Sequence, residues 1–388
     1  VGGFTPAAES SEVVTCKGKA TAEGTLRYKK KFSQNVHSTH FREKGDLVYS
    51  SIGLGTYLGD HDPRTDRQYE EAVLAALELG CNVFDTAINY RCMRSERSIG
   101  QALAKAFEQG YSRDEVIVST KGGFIPFEGE PPADPQAYFR ETYLDQGVCS
   151  VEEVTAGCHC MSPTYLQNQL QRSLENLGLS TVDIYYLHNP ETQLSEIGSQ
   201  EFLDRLRAAF EVLEEAVSNG QIGLYGTATW DAYRVTESDN GYLSLFTVYE
   251  VARQVAGDGH HFRVVQLPYN LAMIEALLAS NQIRPSRQGR GSLLQSASDY
   301  DLVVMTSASI LQGKLAQSLP SAVADCLNGL RTDAQRSIQF ARSSPGVTTA
   351  LVGMRGIEHV RDNLEAARFP IAAETELMGL FEHKDAQT

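Results

Sequence analysis

The chain has 388 residues, 42% of them hydrophobic and 21% charged, and no run approaches the roughly 18–20 apolar residues of a membrane helix. Its 34 Lys and Arg against 49 Asp and Glu give a net charge of −15. We expect no nucleic-acid partner, because an acidic surface repels phosphate backbones. The first ten residues lack the basic and apolar parts of a signal peptide, and we expect a cytoplasmic protein.

The first part of the chain differs from the rest in charge. Residues 1–45 carry eight Lys and Arg and four Glu, a local net charge of +4. Near their end, Phe41–Lys44 and Leu47–Ser50 flank a Gly-Asp pair, which is typical of a tight turn between two strands. We therefore predict an N-terminal extension over 1–45 that includes the start of a hairpin, a main body over 46–370 and a C-terminal tail over 371–388.

From about residue 50 onward, short β-rich runs alternate with helical periods. One helical face, residues 69–77, ends at Gly80, and another, residues 166–177, ends at Gly178. Strands that alternate with helices predict a parallel sheet. Eight such units favour a closed (β/α)8 TIM barrel, with the hairpin plugging its N-terminal end. The predicted strands are 51–55, 82–84, 116–119, 182–187, 223–227, 263–267, 301–305 and 349–352.

One motif is also compatible with a different fold. Gly53-Leu-Gly55-Thr-Tyr-Leu-Gly59 follows a predicted strand and Asp85 ends the next one, an order that resembles a dinucleotide-binding fingerprint. However, the third glycine is one residue late, and Asp60-His-Asp-Pro63 delays the helix that would hold the pyrophosphate. We therefore favour the barrel.

A long segment, residues 122–161, follows the third predicted strand and would overhang the active site of a barrel. We interpret it as a lid packed by its own aromatic side chains and as the source of specificity. Cys158-His159-Cys160, with Cys149 nearby, leaves a metal site or a disulfide open, but the spacing matches no standard zinc pattern, and we predict no metal. The aromatic residues are Phe124, Phe127, Tyr138, Phe139 and Tyr143.

Four polar residues stand where a barrel would place catalytic groups. Asp85 follows the second predicted strand, and Tyr90 lies five residues further in the same loop. Lys121 ends the third strand and His188 follows the fourth. Each residue alone has a structural explanation, such as a helix cap, a half-buried aromatic or a side chain that reaches solvent. Their coincidence at consecutive strand ends favours a catalytic role for all four.

Together these groups are suited to acid–base chemistry at a carbonyl. A phenol with a pKa of about 10 is a poor acid–base catalyst at neutral pH, and we expect the Lys121 ammonium to lower the pKa of Tyr90. The Asp85 carboxylate would hold that ammonium charged, and the His188 imidazole would donate a hydrogen bond to a substrate oxygen. The constellation predicts proton transfer at a carbonyl oxygen while another group attacks its carbon.

Seven short motifs follow one another at characteristic spacing along the chain. They are Gly53-Leu-Gly-Thr56, Asp85-Thr-Ala-Ile-Asn-Tyr90 with Ser95-Glu96, Ser119-Thr-Lys121, residues 174–184 leading into His188, Val265-Gln-Leu-Pro-Tyr-Asn270, Gln312-Gly-Lys-Leu315 and Val352-Gly-Met-Arg355. Their order resembles the aldo-keto reductase family over about residues 45–368. The resemblance implies a (β/α)8 barrel, an NADP(H) cofactor with NAD(H) less favoured, and reduction of a small aldehyde or ketone or oxidation of the alcohol.

The resemblance also implies a role for each of the four polar residues. Asp85, Tyr90, Lys121 and His188 would form a catalytic tetrad in which Tyr90 is the general acid. Lys121, paired with Asp85, would tune that acid, and His188 would orient the carbonyl.

Cofactor contacts follow from the same resemblance. Tyr269 would stack on the nicotinamide ring, and Gln266 would bind its carboxamide. Arg355 would hold a 2′-phosphate, because a planar, charged guanidinium suits a phosphate, and this favours NADP over NAD. The remaining predicted contacts, at the adenosine end, are Gly353, His359 and Asn363.

Two segments depart from the family pattern. After the fifth strand, Ala228 and Thr229 replace the usual Ser and Asn that help hold the carboxamide. Thr229 retains a hydroxyl there but lacks an amide's paired donor and acceptor, and losing a bond to a buried polar group costs roughly 1–3 kcal/mol. After the seventh strand, the usual Ser-Pro-Leu-Gly appears as Ala308-Ser-Ile-Leu311, which changes the turn that approaches the pyrophosphate.

Two aromatic residues are candidates for the substrate side of the site. Tyr57 follows the first strand, and Trp230, the only Trp of the chain, follows the fifth. For Trp230 a place in the core remains the alternative.

The departures keep two other functions open. The chain could be a nucleotide-binding regulatory or sensor protein with little turnover, or a lyase or isomerase that works by proton transfer alone. The intact tetrad favours catalysis, because a pure binder has no need of Lys121 beside Tyr90. The substrate, the direction of the reaction and the oligomeric state do not follow from the residues.

Overall fold

The computed structural model describes residues 15–286 and 289–385. The strands of this part are β1 (Phe41–Lys44), β2 (Leu47–Ser50), β3 (Ile52–Gly55), β4 (Val83–Asp85), β5 (Ile117–Gly122), β6 (Val182–His188), β7 (Ile222–Ala228), β8 (Phe262–Pro268), β9 (Gln282–Arg284), β10 (Gly289–Gly291), β11 (Val303–Ser307) and β12 (Thr349–Gly353). Eight of them, β3 to β8 with β11 and β12, run parallel and close into the predicted barrel, in which β12 pairs with β3. The pairs β1–β2 and β9–β10 form antiparallel hairpins outside it.

Helices connect the strands and cover the outside of the barrel. They are α1 (Ala22–Phe32), α2 (Pro63–Glu78), α3 (Arg94–Glu108), α4 (Pro135–Phe139), α5 (Pro163–Leu177), α6 (Ser199–Ser218), α7 (Leu245–Ala256), α8 (Glu275–Leu278), α9 (Leu293–Asp299), α10 (Ser321–Cys326), α11 (Asp333–Ser343), α12 (Ile357–Leu364) and α13 (Glu374–Asp385). Asp62 caps α2 by accepting the Thr65 amide at 2.7 Å, and left-handed Gly178 ends α5. Within the described ranges, none of these helices has both the length and the apolar character to span a bilayer.

The predicted hairpin forms and closes the N-terminal end of the barrel. Tyr49 on β2 is fully buried and packs with side chains that point into the barrel, among them Val83 and Ile117. The Asn82 side chain holds the hairpin in place by accepting the Ser50 amide at 2.8 Å. Because this end is filled, the opening of the barrel lies at the C-terminal ends of the strands.

The N-terminal extension contains α1, a helix absent from the predicted elements. Tyr28 on α1 is fully buried, and its hydroxyl donates to the Leu77 carbonyl at 2.7 Å. Just before α1, the Ala20 amide donates to the Asp183 carboxylate on β6 at 2.6 Å. Since Cys16 also forms a β-bridge with Leu179, the extension is bound to the barrel from residue 16 onward, and residues 1–14 lie outside the described residues. The predicted tail likewise contains a helix, α13.

Strand register places the predicted catalytic residues at a similar height along the barrel axis. Asp85 on β4 pairs with Ser119 on β5, two residues before Lys121. His188 ends β6 opposite Ala228 on β7. Since the carboxyl ends of all eight parallel strands meet at one rim, these side chains share the open end of the barrel.

The segment of residues 122–161 after β5, called the lid loop below, is folded. It contains α4 and a turn of π-helix over Arg140–Leu144. Its aromatic residues pack against one another as predicted: the rings of Phe127 and Tyr138 lie 5.6 Å apart, and those of Tyr138 and Tyr143 lie 6.3 Å apart. The lid loop therefore has a small apolar core of its own.

Candidate active site

A buried ion pair lies at the C-terminal ends of β4 and β5. Nζ of Lys121 donates to Oδ2 of Asp85 at 2.6 Å and to the Thr86 carbonyl at 2.7 Å. Lys121 is fully buried and Asp85 nearly so. Burial lowers the pKa of Lys121, and the charge of Asp85 opposes that shift. A buried ammonium needs such a partner, because loss of hydration otherwise disfavours the charged form.

Tyr90 and His188 adjoin this ion pair. Nζ of Lys121 lies 4.8 Å from the centroid of the Tyr90 ring, and the rings of Tyr90 and His188 meet edge to face at 5.8 Å. Tyr57 meets Tyr90 edge to face at 5.0 Å. The structure thus brings all four residues of the predicted tetrad into one network of contacts.

The protonation of this network differs from the expectation. Burial raises the pKa of Tyr90 well above its ordinary value, and Asp85 and Tyr57 raise it further. The expected net lowering of the Tyr90 pKa is therefore wrong for this structure, because the loss of hydration outweighs the effect of the neighbouring ammonium. Burial, followed by the charge of Lys121, lowers the pKa of His188 well below its usual range. At neutral pH Tyr90 is a phenol and His188 is neutral.

The second oxygen of Asp85 also has partners. Oδ1 accepts the Ser119 hydroxyl at 2.7 Å and Nε2 of Gln266 at 2.9 Å. Gln266, the predicted carboxamide contact, lines the site but is hydrogen-bonded to the tetrad. A bound carboxamide would therefore have to share this side chain with Asp85.

Asp85, Tyr90, His188 and Gln266 form the floor of a cavity of about 890 Å³ at the open end of the barrel. That volume lies toward the upper end of the usual range for small-molecule and cofactor sites. Lys121 lies beneath the floor, fully buried. The predicted site residues that line the cavity are Tyr57, Asp85, Tyr90, His188, Thr229, Trp230, Gln266, Gly353, Arg355, His359 and Asn363.

Tyr269 lies elsewhere, which contradicts the prediction that its ring stacks on a nicotinamide. Its side chain is fully buried, its ring stacks on that of Phe340 at 5.3 Å, and its hydroxyl lies 2.7 Å from Oγ of Ser344. Side chains along a strand point alternately to opposite faces. Because Gln266 points into the barrel, Tyr269, three residues later, points out toward α11.

The far end of the cavity carries a cation. Arg355 follows β12, is exposed and lines the cavity, and no acidic side chain among the described residues forms an ion pair with it. Two residues of α12, His359 and Asn363, line the same cavity. An exposed guanidinium without an acidic partner is suited to a phosphate group.

The walls near the tetrad include two aromatic side chains and the hydroxyl of Thr229. Trp230 is 43% exposed and Tyr57 57% exposed, and both line the cavity, so Trp230 is a wall residue and not a core aromatic. Oγ1 of Thr229 is buried with no hydrogen-bond partner in the described part of the chain. The backbone amide of Trp230 donates to the Glu191 carboxyl group at 2.7 Å. Burial raises the pKa of Glu191 to about 7.

A strained turn follows Tyr90 directly. Arg91, Cys92 and Met93 all adopt left-handed conformations, with φ of 49°, 54° and 67°, and each such non-glycine residue costs roughly 1–2 kcal/mol. Nη2 of Arg91 donates to Asp66 at 2.6 Å, and the Cys92 carbonyl accepts the amide of Gly129 in the lid loop at 2.9 Å. These contacts offset the strain and fix the backbone that carries Tyr90.

Some cavity residues were not among the predicted contacts. Phe124 of the lid loop meets the His188 ring edge to face at 5.0 Å. Asn89 precedes Tyr90, and its Oδ1 is buried without a partner among the described residues. Asp362, next to Asn363, also lines the cavity. Asn89 and Asp362 could have been found as neighbours of predicted residues, whereas only the fold places Phe124.

The cysteine-rich end of the lid loop divides between surface and core. Cys158 is exposed, Cys149 and Cys160 are buried, and no disulfide bond joins two cysteines in the part of the chain that the structure describes. Across residues 15–286 and 289–385, no three His, Cys, Asp or Glu side chains come together as metal ligands. Both nitrogens of His159 form hydrogen bonds within the protein, to His188 and to Gln193.

Proteins that are similar to the chain in sequence include two bacterial oxidoreductases. It is 28% identical over 197 residues to the NADH-specific methylglyoxal reductase of Escherichia coli, a match over 50% of this chain and 52% of that protein. The chain therefore aligns with about half of that relative. It is 23% identical over 352 residues to the uncharacterised oxidoreductase YqkF of Bacillus subtilis, a match over 87% of this chain and 94% of that protein.

Solved structures show the same fold. An aldo/keto reductase of Klebsiella pneumoniae in complex with NADP and acetate superposes with a TM-score of 0.58 at 20% identity, over 89% of this chain and 95% of that one. The profile of the Aldo/keto reductase family matches residues 51–376, from β3 to α13. Since that match includes all eight barrel strands and the four predicted catalytic residues, the chain belongs to the Aldo/keto reductase family.

Proposed function

We propose that the chain is an NADP(H)-dependent oxidoreductase that reduces an aldehyde or ketone, or oxidises the corresponding alcohol, with Tyr90 as the acid. The observation that carries this proposal is the Tyr90 ring on the cavity floor with Nζ of Lys121 4.8 Å from its centroid, where Lys121 is paired with Asp85 at 2.6 Å. A buried ion pair contributes little net stability. Its position beneath a phenol is therefore better explained by proton transfer than by folding.

The cavity residues fit a nicotinamide dinucleotide. Near the tetrad, Oγ1 of Thr229, which has no hydrogen-bond partner among the described residues, and the amide of Gln266 are suited to a carboxamide. At the far end, the exposed guanidinium of Arg355 is suited to a 2′-phosphate. Related proteins use both forms of the cofactor, as the NADP complex and the NADH-specific relative indicate. Arg355 favours NADP(H) for this chain.

When bound, the nicotinamide supplies or accepts the hydride, and the residues of the chain handle the proton and the charge. Neutral His188 donates a hydrogen bond to the carbonyl oxygen and orients it. The Tyr90 hydroxyl gives its proton to that oxygen as the carbon gains the hydride, so that an alcohol forms and a phenolate remains. Lys121 stabilises the phenolate, and Asp85 keeps Lys121 charged. In the oxidative direction Tyr90 takes the proton back.

One observation favours a second candidate, a nucleotide-binding regulatory protein with little turnover. Several side chains expected around the carboxamide are missing, because Ala228 has no polar group, Thr229 replaces an amide and Tyr269 points out of the barrel. Weaker orientation of the ring would reduce turnover more than binding.

The two candidates are separated by one pair of measurements. The purified chain is titrated with NADPH and with NADH by cofactor fluorescence, and NADPH oxidation is then followed with aliphatic, aromatic, neutral and anionic aldehydes. We expect NADPH to bind more tightly than NADH and at least one carbonyl to be reduced. Binding without turnover on the whole panel would favour the regulatory protein, and absence of binding would contradict both.

A further inference from the structure

His159 of the lid loop lies directly behind the catalytic rim. Its side chain is 1% exposed, and its Nε2 is 2.7 Å from the carbonyl oxygen of His188. Its Nδ1 is 2.8 Å from Nε2 of Gln193. A residue far from the tetrad in sequence thus contacts the backbone of the catalytic histidine.

The hydrogen-bond partners determine the protonation of His159. Nη1 of Arg205, which can only donate, lies 2.6 Å from Oε1 of Gln193, so the amide nitrogen of Gln193 faces His159. That nitrogen donates to Nδ1, and the imidazole proton must therefore sit on Nε2, where it donates to the His188 carbonyl. Burial lowers the pKa of His159 to about 4, so the ring is neutral at physiological pH.

The backbone at this point has an acceptor that needs a donor. His188 is the last residue of β6, and Asn189 after it adopts a left-handed conformation with φ of 46°, so the strand pattern ends there. A buried carbonyl without a partner is strongly unfavourable. The lid loop supplies that partner through His159.

Side-chain packing couples the same two residues. Phe124 stands edge-on between them, with ring centroids 5.1 Å from His159 and 5.0 Å from His188. Gly123 has φ of 144°, and a Cβ atom there would lie 2.7 Å from Nε2 of His159 and 2.9 Å from the His188 carbonyl. The close approach of the lid loop to His188 therefore requires glycine at this position.

We propose that His159 is a positioning residue that holds the catalytic His188 through its carbonyl oxygen and through Phe124. The lid loop is then a structural part of the active site as well as a wall of the cavity. A small displacement of a catalytic group lowers the rate far more than it lowers binding. This inference rests on the proposed function, since it assigns His188 a role in turnover.

The test compares three variants with the wild type. His159→Phe keeps a buried ring but removes the donor, and we expect kcat to fall about 10–100-fold, with Kd for NADPH and KM within about 2-fold. His159→Gln retains an N–H that can reach the carbonyl, and we expect it to recover most of kcat. Cys158→Ser changes the exposed neighbour and should leave kcat unaltered.

A spectroscopic measurement gives a readout that a merely structural role would not move. In protein with ¹⁵N-labelled histidine rings, we expect His159 as the neutral Nε2–H tautomer at neutral pH and a shifted His188 resonance in His159→Phe. A wild-type kcat in that variant, or equal losses in kcat and NADPH affinity with an unchanged His188 resonance, would overturn the proposal.

Two further outcomes remain informative. If His159→Phe does not fold, Gln193→Leu removes the bond that fixes the tautomer, and a fall in kcat without loss of NADPH binding supports the proposal, whereas unchanged kcat contradicts it. If the wild type turns over no carbonyl, the proposed function fails, while the NMR measurement still decides whether His159 binds the backbone of His188.

Discussion

Nζ of Lys121 lies 2.6 Å from Oδ2 of Asp85, and neither side chain is more than 6% exposed. At this depth the two charges depend on each other, because removing one leaves the other without water and without a counter-charge. The two residues therefore form one energetic unit in the folded chain.

Lys121→Met should destabilise the fold by roughly 3–5 kcal/mol, because it leaves Asp85 as an unpaired buried charge. The double variant Asp85→Asn with Lys121→Met should recover much of that loss but no activity, since neither charge is present to act on Tyr90. Urea unfolding measures the first effect and NADPH oxidation the second. If the losses in free energy of unfolding of Lys121→Met and Asp85→Asn add up to the loss in the double variant, the two residues are not coupled.

Tyr90→Phe should lower kcat by about 10²–10⁴-fold, because it removes the proton that the carbonyl oxygen receives. Kd for NADPH should stay within about 2-fold, since the ring remains in place. Tyr57→Phe is the matched control: its ring lies 5.0 Å from Tyr90, and it should keep most of the activity. Full activity in Tyr90→Phe would end the assignment of this residue as the acid.

Arg355→Ala should weaken NADPH binding by about 10–100-fold, the usual loss for a hydrogen bond to a charged group of about 1.5–3 kcal/mol. NADH lacks the 2′-phosphate, so its affinity should change little. Arg361→Ala on α12 is the control, because that exposed side chain already pairs with Glu358 at 3.1 Å. Fluorescence titration with both cofactors measures the difference, and equal losses for NADPH and NADH would contradict the assignment.

His40 should make the fold sensitive to mild acid. Its ring lies 2.9 Å from the Gly80 carbonyl and 3.0 Å from Oγ of Ser51, and burial, followed by the charge of Arg342, lowers its pKa from 6.5 to about 3. Below pH 6.5 the unfolded chain binds a proton that the folded chain does not, so stability falls as the pH drops toward 3.

The size of this effect can be checked by substitution. Between about pH 7.5 and pH 5, His40 alone should reduce the free energy of unfolding by about 2 kcal/mol. In His40→Gln the difference between those two pH values should be smaller by that amount, as measured by urea unfolding at each pH. An unchanged pH dependence would show that His40 is not buried in its neutral form.

The barrel and the placing of the tetrad follow from local patterns. Helical and strand periods repeat eight times, and Asp85, Lys121 and His188 each stand at the end of a predicted strand. Parallel strands put all these ends on one rim, so the sequence alone predicts that these side chains meet. The hairpin at Phe41–Lys44 and Leu47–Ser50 is equally local, because a two-residue turn specifies it.

Other features depend on contacts between residues that are distant in sequence. The resemblance assigns Tyr269 to the cofactor, but in the fold this residue follows β8 and its ring stacks on Phe340. The pKa of Tyr90 rises because packing removes its water, a quantity that no motif encodes.

The sequence by itself therefore determined the fold and the rim on which the predicted catalytic residues stand, because these depend on periodicity and on strand-end position, while its motifs carry the resemblance to the family. Only the tertiary structure decided which side chains face the cavity, which forms of Tyr90 and His188 are present, and that His159 of the lid loop reaches the backbone of His188 at 2.7 Å. Orientation, hydration and long-range contact are set by packing between distant segments, and local periodicity carries no information about them.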